Sequence, residues 1–121
     1  MTADYVLLIE DDQAFREMLA YYLRAHGFTV VTVDDGAEAL AHLEAGNQPF
    51  AIVADLIMPG VLGGSISDYL KQSPSHHGCP IMFVTGSPKL APADRPVVAK
   101  PFQGRVVLEF VESARAAAIH A

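Results

Sequence analysis

The fold is first indicated by the stretch Tyr5-Val6-Leu7-Leu8-Ile9-Glu10-Asp11-Asp12, in which a run of apolar residues leads directly into three acids. A continuous apolar run is typical of a strand that is covered on both faces of a sheet. The segment after it has apolar residues at helical spacing on one stripe: Phe15, Met18, Leu19, Tyr22 and Leu23. Gly27 is placed to end this helix. The chain therefore begins with a buried strand followed by an amphipathic helix.

The same alternation continues along the chain. Further strands are predicted at residues 29–33, 50–54, 81–84 and 97–99. The helices between and after them are predicted to bury the following residues: Ala37, Leu40 and Ala41; Ile66, Tyr69 and Leu70; and Val107, Phe110, Val111 and Ala114. Strands joined by helix-length connections predict an α/β fold, a doubly wound five-stranded parallel sheet of flavodoxin-like order 2-1-3-4-5. We expect one domain over residues 1–121.

The connection over residues 86–96 interrupts this alternation. It carries Pro88, Pro92 and Pro96 at four-residue intervals. Each proline removes a backbone donor and clashes with the preceding helical turn. We therefore expect the helix between the fourth and fifth strands to be shortened or replaced by a loop.

Composition excludes several classes of protein. The chain has 121 residues, a formal net charge of −6 and 51% hydrophobic residues, which argues against disorder. No apolar run approaches the roughly 20 residues of a membrane span. No cluster of Lys or Arg suggests direct binding to nucleic acid. The single cysteine, Cys79, excludes an internal disulfide and favours a cytoplasmic location.

Acidic residues follow two strands that are neighbours in the predicted order. Glu10, Asp11 and Asp12 end the first strand, and Asp55 ends the third. Two unit charges about 4 Å apart repel by ~4 kcal/mol at an effective dielectric near 20, so a group of acids needs a cation. A site made of carboxylate oxygens selects a hard ion, which predicts Mg²⁺ rather than Zn²⁺.

Two further strand ends suit a phosphoryl group. The fourth strand ends at Thr85, whose neighbour Gly86 leaves space, and the fifth ends at Lys100. A hydroxyl, an ammonium and a metal ion together neutralise phosphoryl oxygens, and a carboxylate can attack phosphorus. Asp55 is the best nucleophile candidate because it stands alone at its strand end.

Four segments resemble the motifs of receiver domains of two-component response regulators. They are Leu8-Ile9-Glu10-Asp11-Asp12, Asp55-Leu56-Ile57-Met58-Pro59-Gly60, Val84-Thr85-Gly86 and Lys100-Pro101-Phe102. Their order and context match over residues 5 to about 114. The resemblance implies that Asp55 accepts a phosphoryl group from a phosphohistidine on a sensor histidine kinase or a histidine phosphotransfer protein.

The resemblance also implies a set of metal ligands. Asp11 and Asp55 would bind Mg²⁺ directly, together with the backbone carbonyl of Ile57, and Glu10 would act through a water molecule. Thr85 and Lys100 would bind phosphoryl oxygens. The peptide bond between Lys100 and Pro101 is expected to be cis, since this bond typically is in the family.

The chain departs from the family pattern in three respects. Lys100 follows Thr85 more closely than in receivers that have a complete fourth helix, and Val97 replaces the aromatic residue that many receivers have three positions before the lysine. The chain is thus similar to a Thr-Gly subset with a shortened fourth helix. The two positions that tune hydrolysis hold Ile57 and Ser87, which offer neither acid nor amide. We therefore expect a long-lived phosphorylated state.

Other functions remain open at this point. A Mg²⁺-dependent aspartyl-phosphate phosphatase would need a second Asp two residues after the nucleophile, where this chain has Ile57. A ligand-binding flavodoxin-like module would need a Ser/Thr/Gly loop after the first strand. We expect a phosphoacceptor rather than an enzyme, with at most slow self-dephosphorylation, that signals by protein contact. Its downstream partner, its oligomeric state and whether it is part of a larger protein are not decided.

Several residues have plainer interpretations. Asp12 could cap the first helix instead of facing a metal. Phe15 and Met18 are expected to be buried, although phosphodonors of this family dock near that helix. His76, His77 and Cys79 lack a fourth ligand and are expected to form a solvated turn.

Overall fold

A five-stranded parallel sheet forms the centre of the computed structural model, which describes residues 2–58 and 63–119. The elements in chain order are β1 (Ala3–Ile9), α1 (Gln13–Ala25), β2 (Val30–Val33), α2 (Gly36–Glu44), β3 (Pro49–Asp55), α3 (Gly63–Gln72), β4 (Ile81–Thr85), β5 (Val97–Ala99) and α4 (Gly104–Ile119). The strand order is β2-β1-β3-β4-β5 and all pairings are parallel. The predicted fold class and strand order are confirmed.

Two apolar cores lie on opposite faces of the sheet. Successive residues of a strand point to opposite faces, so Leu8 of β1 belongs to one core and Leu7 to the other. Helices α1 and α4 cover the first core, to which Leu23 and Val111 belong. Helices α2 and α3 cover the second. Because β1 and β3 lie between two helical layers, the carboxyl ends of these strands are fixed in position.

The proline-rich connection contains one turn of 3-10 helix. This turn spans Pro88–Leu90 and stands where a fourth crossover helix would otherwise lie, which confirms the prediction. The segment after it is tied to α3, since the Arg95 guanidinium donates to the buried Ser67 hydroxyl at 3.0 Å. Lys71 of α3 also pairs with Asp94. The connection is therefore held against α3 by polar contacts.

The prediction of which residues of α2 face the core is wrong for Ala37 and Ala41 and right in part for Leu40. Ala39 and Leu43 are buried, whereas Ala37 and Ala41 are exposed and Leu40 packs partly against the core. The side of α2 that faces the sheet lies between Leu40 and Leu43, so both leucines reach the core, because burying a leucine side chain is worth more than burying an alanine.

The prediction that Met18 is buried is also wrong. The inward stripe of α1 is centred on Leu19 and Leu23 and includes Ala20, so Met18 lies at its edge and is 58% exposed. Phe15, also expected to be buried, is partly buried against the core. An exposed methionine thus lies on the first helix, close to the acidic strand end.

His76 is not solvated, contrary to the predicted turn. Its side chain is buried, and Nε2 lies 2.8 Å from the carbonyl oxygen of Asn47. Nδ1 lies 2.7 Å from the Ser73 hydroxyl. His77 is exposed, and in the described part of the chain neither histidine joins Cys79 in a group within metal-binding reach. His76 therefore joins two loops at the end of the sheet away from the acids.

Among the described residues, no helix is both long and apolar enough to cross a membrane.

Candidate functional site

Parallel pairing brings the ends of four strands to one edge of the sheet. The residue pairs that fix this arrangement are Ile9 with Ala54, Asp55 with Val84 and Thr85 with Ala99. Glu10, Asp55, Thr85 and Lys100 therefore stand at the carboxyl ends of β1, β3, β4 and β5. In an open parallel sheet this edge is where ligands bind.

Three carboxylates meet at this edge. Glu10, Asp11 and Asp55 each offer an oxygen that lies within 4.8 Å of the others. Glu10 is completely buried, Asp55 is 8% exposed and Asp11 is exposed. The donor set, which is made of hard oxygens with one side open to water, fits the coordination that Mg²⁺ prefers. Glu10, Asp11 and Asp55 could thus hold such an ion.

Asp12 has a structural role at the start of α1. Its carboxylate accepts a hydrogen bond from the backbone N–H of Phe15 at 3.1 Å and caps the helix. Its own N–H donates to Glu10 Oε2 at 3.2 Å. The Arg16 guanidinium donates to the Glu10 carbonyl oxygen at 2.8 Å. The capping interpretation of Asp12 is confirmed, and these bonds fix the acidic loop.

Lys100 lies between two of the carboxylates. Its ammonium donates to Glu10 Oε1 at 2.8 Å and to Asp55 Oδ2 at 3.1 Å. Burial acts to lower the pKa of Lys100, but its hydrogen bonds to Glu10 and Asp55 outweigh burial and raise the pKa above its usual value. Burial raises the pKa of Glu10 to about 7, although the bond from Lys100 acts in the opposite direction. The single Lys100 ammonium thus offsets only part of the negative charge of the three carboxylates, and a bound divalent cation would neutralise the rest.

The Asp55 carboxylate is oriented by the chain that follows it. The Ile57 N–H donates to Asp55 Oδ1 at 3.2 Å, while Lys100 holds the other oxygen. The Ile57 side chain, two residues after Asp55, is 47% exposed. The ligand role of the Ile57 carbonyl stays a prediction, and Pro59 and Gly60 of the same motif lie outside the described residues.

Thr85 is buried at the end of β4. Its hydroxyl accepts a hydrogen bond from the Ser87 N–H at 3.0 Å, which fixes the hydroxyl at the start of the proline-rich connection. Val97, three positions before Lys100, is exposed on β5. The peptide bond between Lys100 and Pro101 is cis. The structure therefore gathers Glu10, Asp11, Asp55, Thr85 and Lys100 at one edge.

One residue at the site was not identified from the sequence. The Phe15 ring lies beneath the Lys100 ammonium, 4.4 Å from the nitrogen to the ring centroid. Its helical spacing pointed only to the core. The available signal was its position in the first turn of α1, directly after the three acids.

Comparison with known sequences identifies the family. The sequence model of the response regulator receiver domain matches residues 6–111. The sensory transduction protein RegX3 of Mycolicibacterium smegmatis is 35% identical over 80 residues, which is 66% of this chain and 33% of RegX3. The phosphate regulon transcriptional regulatory protein PhoB of Rhizobium meliloti is 34% identical over 80 residues, 66% of this chain and 35% of PhoB. The chain spans about a third of the length of these relatives.

Solved structures show the same fold. The receiver domain of the hybrid histidine kinase CckA is 29% identical with a TM-score of 0.73, covering 91% of this chain and 97% of that chain. The receiver domain of a histidine kinase from Syntrophus aciditrophicus is 24% identical with a TM-score of 0.83, covering 95% and 92% of the two chains. At this identity the second structure supports the fold alone. With the family match over residues 6–111, the chain belongs to the response regulator receiver domains of two-component signalling.

Proposed function

We propose that this receiver domain is a phosphorylation-dependent switch and that Asp55 is its phosphoacceptor. A carboxylate oxygen of Asp55 attacks the phosphorus of a phosphohistidine, and the bond from phosphorus to the donor imidazole nitrogen breaks. The imidazole leaves and an aspartyl phosphate remains. The observation that supports this most strongly is that Glu10, Asp11, Asp55 and Lys100 lie together at the carboxyl ends of the strands.

The proposed roles of the other residues follow from their positions. Bound Mg²⁺ would supply positive charge for the phosphoryl oxygens, held by Asp11 and Asp55 directly, with the Ile57 carbonyl, and by Glu10 through water. Lys100, 3.1 Å from Asp55 Oδ2, is close enough to pair with a phosphoryl oxygen. The Thr85 hydroxyl, which accepts the Ser87 N–H bond with its oxygen, would donate its own hydrogen to a phosphoryl oxygen.

Labelling with a small phosphodonor tests the proposal. Wild-type protein incubated with acetyl phosphate and Mg²⁺ should gain one phosphoryl group per chain by intact mass. Peptide mapping after borohydride reduction should place the group on Asp55, and chelation of Mg²⁺ should prevent labelling. Labelling at another residue, or labelling without a divalent cation, would contradict the proposal.

We further propose that the domain is not an enzyme with turnover and that its phosphorylated state is long-lived. Hydrolysis needs an oriented water near phosphorus, and the side chains at Ile57 and Ser87 offer neither an acid nor an amide for this. Of these two, Ile57 is half exposed and follows Asp55 by two residues. The phosphatase alternative would need an acid at this position.

A substitution at Ile57 should shorten the lifetime of the phosphorylated state. Ile57→Glu should speed loss of the phosphoryl group by about tenfold or more, because a carboxylate can act as a base toward water. Decay is followed by phosphate-affinity gel after removal of the donor, with Ile57→Leu as the control that keeps an apolar side chain. Wild-type decay within seconds, or equal decay of Ile57→Glu and Ile57→Leu, would refute the expectation.

We propose a histidine kinase or phosphotransfer protein as the phosphodonor, which would dock on the exposed face of α1. Ala14, Met18, Tyr21 and Ala25 are exposed and spaced at i, i+4, i+7 and i+11, so that they form one apolar stripe. Such a stripe suits the helices of a partner. It begins beside the acidic strand end, which would bring a phosphohistidine near Asp55.

We also propose a cytoplasmic location. The free thiol of Cys79 agrees with a reducing compartment.

A further inference from the structure

The Lys100 ammonium is held on two sides by different kinds of contact. Glu10 and Asp55 accept its hydrogen bonds at 2.8 and 3.1 Å. The Phe15 ring lies on another side, with its centroid 4.4 Å from Nζ. The face of an aromatic ring is negatively polarised and attracts a cation within about 6 Å. The lysine side chain is 26% exposed, and the ring occupies one side of its ammonium.

The position of the Phe15 ring is itself fixed. The backbone N–H of Phe15 bonds to the capping carboxylate of Asp12, which sets the residue in the first turn of α1. The ring packs against that of Phe102 in an edge-to-face pair, with centroids 5.6 Å apart and planes at 70°. Phe15 is thus anchored at its backbone and by its contact with Phe102, while a face of its ring is turned to Lys100.

We propose that Phe15 is a positioning residue that holds the Lys100 ammonium at the place where phosphoryl oxygens bind. This inference rests on the proposed function of Asp55 and adds a residue to it. A lysine side chain has a large rotamer entropy, and an exposed ammonium is strongly hydrated. Without the ring, Lys100 spends more time in water and less beside Asp55. Phosphoryl transfer then loses part of the charge neutralisation that it requires.

Substitutions at Phe15 separate the attraction between its ring face and the Lys100 ammonium from the packing of its side chain. Phe15→Tyr keeps a negatively polarised ring face and should label with acetyl phosphate and saturating Mg²⁺ close to the wild-type rate. Phe15→Leu keeps apolar bulk without that face and should label about three to ten times more slowly. Phenylalanines with one, two and three ring fluorines, incorporated at position 15, keep the shape and should lower the rate in that order. A role in packing alone would leave the fluorinated series unchanged.

A second readout needs neither metal nor phosphodonor. In NMR spectra of the metal-free protein, the Lys100 ammonium protons should be shifted upfield by the ring current of Phe15. Phe15→Leu should remove this shift. Phe110→Leu, an equal change in a ring that packs on the core through α4, should leave both the shift and the labelling rate unaltered.

The outcomes distinguish this inference from the proposed function. Absence of wild-type labelling at Asp55 overturns the function itself. Normal wild-type labelling, together with equal rates for Phe15→Leu and wild type or no trend along the fluorinated series, overturns only the role of Phe15. A loss that also occurs in Phe110→Leu would show a general effect on the fold and would overturn the positioning role as well.

Discussion

Replacing Asp55 with asparagine should abolish labelling of the protein by acetyl phosphate. The substitution keeps the size of the side chain and keeps an oxygen that can accept the Ile57 N–H bond. It removes the negative charge that makes the oxygen a nucleophile, and an amide oxygen does not form a stable bond to phosphorus under these conditions. Intact mass spectrometry after incubation with acetyl phosphate and Mg²⁺ should show no added phosphoryl group.

An acid outside the site provides the matched control. Asp68 is exposed on α3, and Asp68→Asn makes the same change of charge and volume there. This variant should be labelled like wild type. Labelling that persists in Asp55→Asn would contradict the assignment, and so would loss of labelling in Asp68→Asn. Equal unfolding midpoints of the two variants in urea would exclude a difference in folding.

The fold could be predicted because its signals are local. Apolar runs mark the central strands, and the prolines between β4 and β5 exclude a full helix whatever surrounds them. The helix faces were harder to predict where small residues are common. On α2, Ala37 and Ala41 offered a stripe as plausible as that of Ala39 and Leu43, and only packing against the sheet decides between them.

The sequence predicts which residues of the site lie together, because the ends of the strands determine their positions. Glu10, Asp55, Thr85 and Lys100 each follow an apolar strand, and parallel pairing then brings them together. The contacts among these side chains could not be predicted from the sequence. The pairing of Lys100 with Glu10, and its place over Phe15, depend on side-chain rotamers and on segments far apart in the chain.

Replacing Lys100 with methionine should destabilise the metal-free protein, and more so at higher pH. Methionine keeps the length and apolar stem of lysine but leaves the buried Glu10 carboxylate without its cation. Breaking a fully buried ion pair costs ~3–5 kcal/mol. Here Lys100 is 26% exposed and Glu10 keeps the Asp12 N–H bond, so we expect a loss of about 2 kcal/mol near pH 8. Urea unfolding in a chelating buffer measures the loss.

The direction of the pH effect follows from the pKa of Glu10. Burial raises this pKa from 4.5 to about 7 in the folded protein, and removal of Lys100 raises it further because that lysine lowers it. A carboxyl whose folded pKa exceeds its unfolded pKa contributes its full stability below the unfolded value and loses it as pH rises through the folded value. The difference between Lys100→Met and wild type should therefore shrink as pH falls from about 8 toward about 5.

Two comparisons separate the buried charge from other causes. Lys71→Met removes a lysine that pairs with Asp94 at the surface, where water screens the two charges, and should change stability much less than Lys100→Met. The double substitution Glu10→Gln with Lys100→Met removes both charges and should recover most of the stability near pH 8. If the double variant is as unstable as Lys100→Met, then the loss does not come from the Glu10 carboxylate but from the packing of the lysine stem or from Asp55, the other carboxylate that Lys100 pairs with. A loss that is independent of pH would lead to the same conclusion.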